Sequence, residues 1–116
     1  MAKVPLDGLR IEVPHAASSA EVAGRLEAFA QDMAQNKFRE WGVSIVRHGE
    51  THLQLAGRRD GTHFDAEVRA EDRRAVVSLT GSIELSRLKL TLAGGVQGVR
   101  RRVEDELAAT LREHLA

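Results

Sequence analysis

Between residues 41 and 81, four segments alternate apolar and polar residues in phase with one another. Trp41, Val43 and Ile45 make the first set, and Leu53, Leu55 and Gly57 the second. Phe64, Ala66 and Val68 make the third, and Val77, Leu79 and Gly81 the fourth. Asp60-Gly61 is a strong two-residue hairpin signal, because both central residues of a type I′ turn need positive φ. A turn centred there sets Leu53 opposite Val68, Leu55 opposite Ala66 and Gly57 opposite Phe64. A second turn at Asp72-Arg73 sets Val68 opposite Val77, Ala66 opposite Leu79 and Phe64 opposite Gly81. A loop at His48-Gly49-Glu50 sets Ile45 opposite Leu53 and Val43 opposite Leu55. A slip of one residue at any turn would send a whole apolar set to the wrong face, so the agreement constrains the fold strongly. It predicts an antiparallel meander with one oily face. It predicts no chemistry.

The chain has 116 residues, enough for one domain with its own core. Residues 1–7 read as a loose N-terminal segment. The 17 basic and 17 acidic side chains cancel, which argues against a global pull towards nucleic acid or anionic lipid. There are no cysteines, so disulfides and thiolate metal sites are excluded, in keeping with a reducing compartment. The start of the chain lacks the apolar run of a signal peptide, and no stretch approaches about 18 uninterrupted apolar residues. A cytoplasmic protein without a transmembrane segment is the expectation. One Trp and three Phe are too few for the stacking platforms of single-strand binding.

Leu9, Ile11 and Val13 alternate with Arg10 and Glu12, a first strand that Pro14 ends. Ser18-Ser19-Ala20-Glu21 reads as a capping box. Val22, Leu26, Phe29, Ala30 and Met33 then follow at helical spacing, predicting a helix from about Ser19 to Gln35 that ends at Asn36, a residue type tolerant of left-handed geometry. The second face of the meander carries Gln54, Asp65, Glu67, Arg69, Ser78 and Thr80, and so reads as solvated. From Glu84 to Ala93, periodicity does not separate strand from helix: Leu88, Leu90 and Leu92 alternate, whereas Leu85, Leu88 and Leu92 fit a helix. From about Val96 a stripe of Val96, Val99, Val103, Leu107, Leu111 and Leu115 predicts a last helix. The expected fold is α+β: strand, helix, four-strand meander, helix. Its two amphipathic helices pack on the one oily sheet face.

Two segments carry a family resemblance. One is Gly8-Leu9-Arg10-Ile11-Glu12-Val13-Pro14-His15, a strand-Pro-His opening before a capped helix. The other runs from Glu84-Leu85-Ser86-Arg87-Leu88-Lys89-Leu90-Thr91-Leu92 to Arg100-Arg101-Arg102-Val103-Glu104-Asp105-Glu106-Leu107. From Gly8 to Leu107 the chain resembles the small bacterial polyhydroxyalkanoic acid system proteins, with Trp41-Gly42 and Asp60-Gly61 in compatible places. Gly94, Gly95 and Gly98 depart from the more continuous helix expected there. The resemblance implies an accessory role linked to polyester storage granules, and it supplies no catalytic residues.

Five histidines invite a metal reading, but the register keeps His63 beside the turn and His52 opposite Arg69. Six residues of strand, roughly 20 Å, part them. His48, His52 and Glu50 on a loop tip make a poor site, so no metal is expected. His15, at the corner before the first helix, is placed either to carry a proton or contact an anion or to fix the corner through a backbone hydrogen bond. Gly94-Gly95-Val96-Gln97-Gly98 before Arg100, Arg101 and Arg102 has a superficial likeness to a phosphate cradle, without the Walker or dinucleotide spacing. Arg100 and Arg101 are accordingly candidate anion contacts. The plainer reading pairs Arg100-Glu104, Arg101-Asp105 and Arg102-Glu106 along a helix. No serine sits in a nucleophile elbow.

Gly57 and Gly81 flank Phe64 on the oily face. They let the ring lie flat, let a helix approach closely, or open a cavity near Trp41 for an apolar ligand. Leu85, Leu88, Leu90 and Leu92 with Arg87 and Lys89 form a candidate interaction surface, for a second copy, a granule-associated protein or a granule skin, or else they close the core. The leading expectation is thus a non-enzymatic accessory protein of polyester storage, without cofactor, located in the cytoplasm and at granules. The alternative is a small acyl or hydroxyacyl binder using Trp41, Phe64, Gly57, Gly81 and His15.

Overall fold

The computed structural model describes residues 2–36 and 38–115. It is an α+β fold in which an antiparallel sheet carries helices on one face. Six strands and three α-helices occur among the described residues, one strand and one helix more than expected. In chain order they are β1 (Ala2–Pro5), β2 (Leu9–Pro14), α1 (Ser19–Gln35), β3 (Ser44–His48), β4 (His52–Arg59), β5 (Thr62–Ala70), β6 (Arg74–Leu85), α2 (Arg87–Leu92) and α3 (Gly95–Leu115). The sheet runs β1-β6-β5-β4-β3, and β2 pairs with the same edge of β6 as β1.

Two of the three expected registers hold. Leu53, Leu55 and Gly57 face Val68, Ala66 and Phe64, and Val68, Ala66 and Phe64 face Val77, Leu79 and Gly81. The third is displaced by two residues. Ile45 pairs with Leu55, Arg47 with Leu53 and His48 with His52, because the loop is Gly49-Glu50-Thr51 rather than one beginning at His48. A shift of two keeps every side chain on its face, so the periodic pattern cannot detect it. The Asp60-Gly61 turn is also not of the expected type: Asp60 takes φ of 53°, whereas Gly61 is not among the positive-φ residues. Trp41 does not extend β3. It closes a 3-10 turn, Arg39–Trp41, and Gly42 with φ of 56° redirects the chain before Ser44.

The other edge of the sheet departs most from expectation. Residues 2–5, expected to be loose, form β1 against the end of β6, with Val4 opposite Ile83; Met1 lies outside the described residues. β2 pairs with the first half of β6, Leu9 opposite Leu79 and Ile11 opposite Val77. One long strand therefore serves two short ones, and the pairing frame changes by one residue between them. Gly81 sits at that change with φ of 114°, a region L side chains rarely adopt. Its amide donates to Asp7 Oδ1 at 3.3 Å and its carbonyl accepts from Leu6 N at 2.8 Å.

Helix α1 begins and ends where its sequence signals lie. Ser18 Oγ accepts from Glu21 N at 3.2 Å, but the Glu21 carboxylate bonds Arg25 at 2.9 Å rather than returning to close the box. Asn36 is not left-handed, with φ of −111°; its side-chain amide donates back to Asp32 O and Oδ1 instead. Val22, Ala23 and Leu26 of α1 and Leu111 and Leu115 of α3 share one buried cluster with Leu9, Ile11, Val13, Leu53, Val68, Val77 and Leu79. Both long helices thus cover the same oily face, α1 over β3 to β5 and α3 over β1 and β2. Val4 and Leu6 complete the core, at 0% and 4% exposure.

Candidate interaction surface

The region around Gly57 is filled. A Cβ there would stand 2.6 Å from Phe64 Cε1 and 2.9 Å from Cζ, so the ring lies across the glycine. The rings of Trp41 and Phe64 are 6.0 Å apart and tilted, and Phe38 meets Trp41 edge-on at 5.8 Å. Gly81 serves the backbone, since a Cβ would run into the His63 carbonyl. A hollow lined by Trp41 is an open depression of about 200 Å³ bordered by Arg59, Asp60, Thr62 and Glu84. It lies at the β4–β5 turn and not between sheet and helices.

His15 fixes its corner. Its Nε2 donates to Glu71 O at 2.6 Å and its peptide N–H donates to Arg73 O at 3.0 Å, tying the start of α1 to the β5–β6 turn. At that turn Glu71 accepts a hydrogen bond from Arg74, which holds its carboxyl below the ordinary range; Arg10 and Arg69 act in the same sense. His48 and His52 pair across β3 and β4 with ring centres 5.5 Å apart. His52 Nε2 lies 2.8 Å from a Glu67 oxygen. No group of three or more metal-ligating side chains occurs among the described residues.

Arg100 is a structural clamp. Its Nη1 donates to Pro5 O at 2.7 Å and Asp7 O at 3.0 Å, holding the connection between β1 and β2. Nη1 is thus engaged with backbone carbonyls, and Arg100-Glu104 does not form as an ion pair. Arg101 is exposed, and the structure gives it no partner on Asp105. Of the three expected helical pairs, Arg102-Glu106 is present at 3.6 Å. Arg100 missed its sequence reading because its partners are backbone carbonyls some 95 residues away, which no side-chain pattern encodes.

The leucine-rich segment divides between two elements. Leu85 ends β6, and Ser86 caps α2, its Oγ accepting from Lys89 N at 3.2 Å. Leu88, Leu90 and Leu92 therefore lie on a helix. The chain turns sharply into α3 through Gly94 and Gly95, both at positive φ. A Cβ on Gly98 would collide with the Ala93 carbonyl, so the three glycines that break the expected helix bring α2 and α3 together as a tight corner. Leu85 and Leu90 are half-buried. Leu88 is 70% exposed, Leu92 78% and Val96 37%. With 3.6 residues per turn, Leu88 and Leu92 form one ridge, and Arg87 and Lys89 stand about 100° to either side of it.

Fold and surface together define a helix-over-sheet α+β module with a protruding apolar corner rimmed by basic side chains. No protein-family model, no curated protein and no solved structure matches the chain. Among the described residues no helix is long and apolar enough to cross a membrane.

Proposed function

We propose that this chain is a non-enzymatic accessory protein of the polyhydroxyalkanoate storage type, working in the cytoplasm and at granules by docking through the α2–α3 corner. The observation that supports the docking is the exposure of Leu88 and Leu92 beside Arg87 and Lys89. Two leucines left in water on adjacent turns of one helix give up the stabilisation that burial would bring, about 1.5–3 kcal/mol each. An apolar ridge rimmed by charged side chains is a form that docking surfaces take. The family resemblance supplies the granule. The acyl-binding alternative is weaker, because the Phe64 ring occupies the space that Gly57 opens.

Imaging of the fluorescently tagged chain in granule-forming cells tests the reading. The native chain collects at granules, and Leu88→Ser/Leu92→Ser disperses it at unchanged thermal stability. Diffuse signal from the native chain under all storage conditions overturns the proposal. The choice of Leu92 over Leu90 follows from burial, since Leu90 is half-buried and its loss would confound folding with docking.

A further inference from the structure

We infer that the surface recognised by the α2–α3 corner is an anionic lipid layer. This inference rests on the reading of the corner as a docking surface and adds the chemistry of what it meets. From residue 85 to residue 103 the chain carries five basic side chains, Arg87, Lys89, Arg100, Arg101 and Arg102, and no acidic one. The whole chain is neutral, so the remainder is net acidic. Acidic side chains resume at Glu84 on one side and at Glu104, Asp105 and Glu106 on the other, so the cationic stretch is confined to α2 and the first part of α3, where the leucines are exposed. Arg100 is committed to the Pro5 and Asp7 carbonyls. Arg102 is paired with Glu106 at 3.6 Å. Arg87, Lys89 and Arg101 are exposed.

Three features favour lipid over protein as the cover. A fully exposed Leu or Val side chain offers on the order of 100 Å² of apolar surface. At the exposures of Leu88, Leu92 and Val96, the corner presents roughly 200 Å² of apolar surface, against roughly 450 Å² of apolar surface per partner in a standard protein interface. A second copy is disfavoured for a further reason: it would bring two basic corners face to face. The side-chain order also suits an interface between water and hydrocarbon. The Leu88–Leu92 ridge can enter the acyl boundary while Arg87 and Lys89, one on each side, lay their stems along it and keep their charges among the head groups. An anionic layer attracts the corner and repels the acidic remainder, which orients the molecule as it lands. The mode is docking on the layer. No described helix is long and apolar enough to cross it.

Flotation of the full chain with vesicles tests this. One set is phosphatidylcholine alone and the other contains about one third phosphatidylglycerol. The native chain is expected to partition at least tenfold more strongly onto the anionic vesicles, about the effect of two or more basic side chains near such a surface. Raising salt weakens that binding by screening. Arg87→Gln/Lys89→Gln and Leu88→Ser/Leu92→Ser each lower it by roughly tenfold or more, with unchanged circular dichroism and melting temperature. Equal binding to both vesicle types, no binding to either, or indifference to the charge substitution overturns the inference. Should the native chain ignore vesicles while Leu88→Ser/Leu92→Ser still disperses it from granules in cells, the lipid inference falls. The docking reading then stands with an acidic protein as the cover. Should the leucine substitution leave both vesicle binding and granule localisation unchanged, both fall.

Discussion

Gly57→Ala isolates the question of whether the inner sheet face is filled or open. The backbone at Gly57 is outside the left-handed region, so alanine brings no conformational strain, and its reduced freedom in the unfolded chain would stabilise by about 0.4–1 kcal/mol. Against that, the new methyl group would sit 2.6 Å and 2.9 Å from two Phe64 ring carbons and 3.3 Å from Val43 Cγ2. The ring is also stacked at a tilt on Trp41, centroids 6.0 Å apart, so moving it disturbs an aromatic pair. Overpacking of this kind costs about 1–3 kcal/mol. The net effect is then a loss of roughly 1–2 kcal/mol, a fall in Tm of about 4–8 °C for a domain of this size. Urea unfolding followed by the emission of Trp41, the single tryptophan, measures it directly. Phe64→Leu removes the ring edge and costs about 1–2 kcal/mol by itself. In the double substitution the methyl group occupies vacated space, so the two losses fall short of additivity by about 1 kcal/mol. A neutral or stabilising Gly57→Ala, or strict additivity with Phe64→Leu, would refute the reasoning. Either result would mean that the region beside Trp41 has room to spare, which the acyl-binding alternative requires.

Arg100→Ala removes two charge-assisted hydrogen bonds to the β1–β2 connection; at this partly exposed position the expected loss is about 1–2 kcal/mol. Hydrogen exchange at the Leu6 amide should quicken with it, and an unchanged Leu6 rate would show that β1 holds without the clamp. Glu71 supplies a pH signature. Its folded-state pKa is lowered from 4.5, first by the Arg74 hydrogen bond, so its contribution is complete above 4.5 and fades as pH falls through the folded value. Native chain and Glu71→Gln should therefore differ most near neutral pH and converge in acid; a difference that grew on acidification would reverse the sign of the argument.

Much of the fold was legible because its signals are local. Ser18 and the helical spacing that follows it delimit α1. Asp60-Gly61 and Asp72-Arg73 set two registers, since a one-residue error would have exposed Phe64, Ala66 and Val68. The third register escaped because a shift of two residues leaves Ile45 facing inward whether it meets Leu53 or Leu55. The histidine at the α1 corner was legible as a choice between two roles, and the partner of its ring, a carbonyl 56 residues away, was not legible at all.

Those local patterns determined the alternating strands, the two long amphipathic helices and the single oily face they share. Only the tertiary structure decided what residues 2–5, Arg100 and the leucine segment do. Ala2–Pro5 is too short to announce a strand, and its pairing exists because β6 runs on past Gly81 and leaves an edge open. The role of Arg100 depends on carbonyls that fold against it from the other end of the chain. Leu88 and Leu92 read as core or surface with equal ease. Their exposure was settled by the Ser86 cap and the Gly94-Gly95 turn, which together end the sheet and fold a short helix against α3 with Leu88 and Leu92 turned outward.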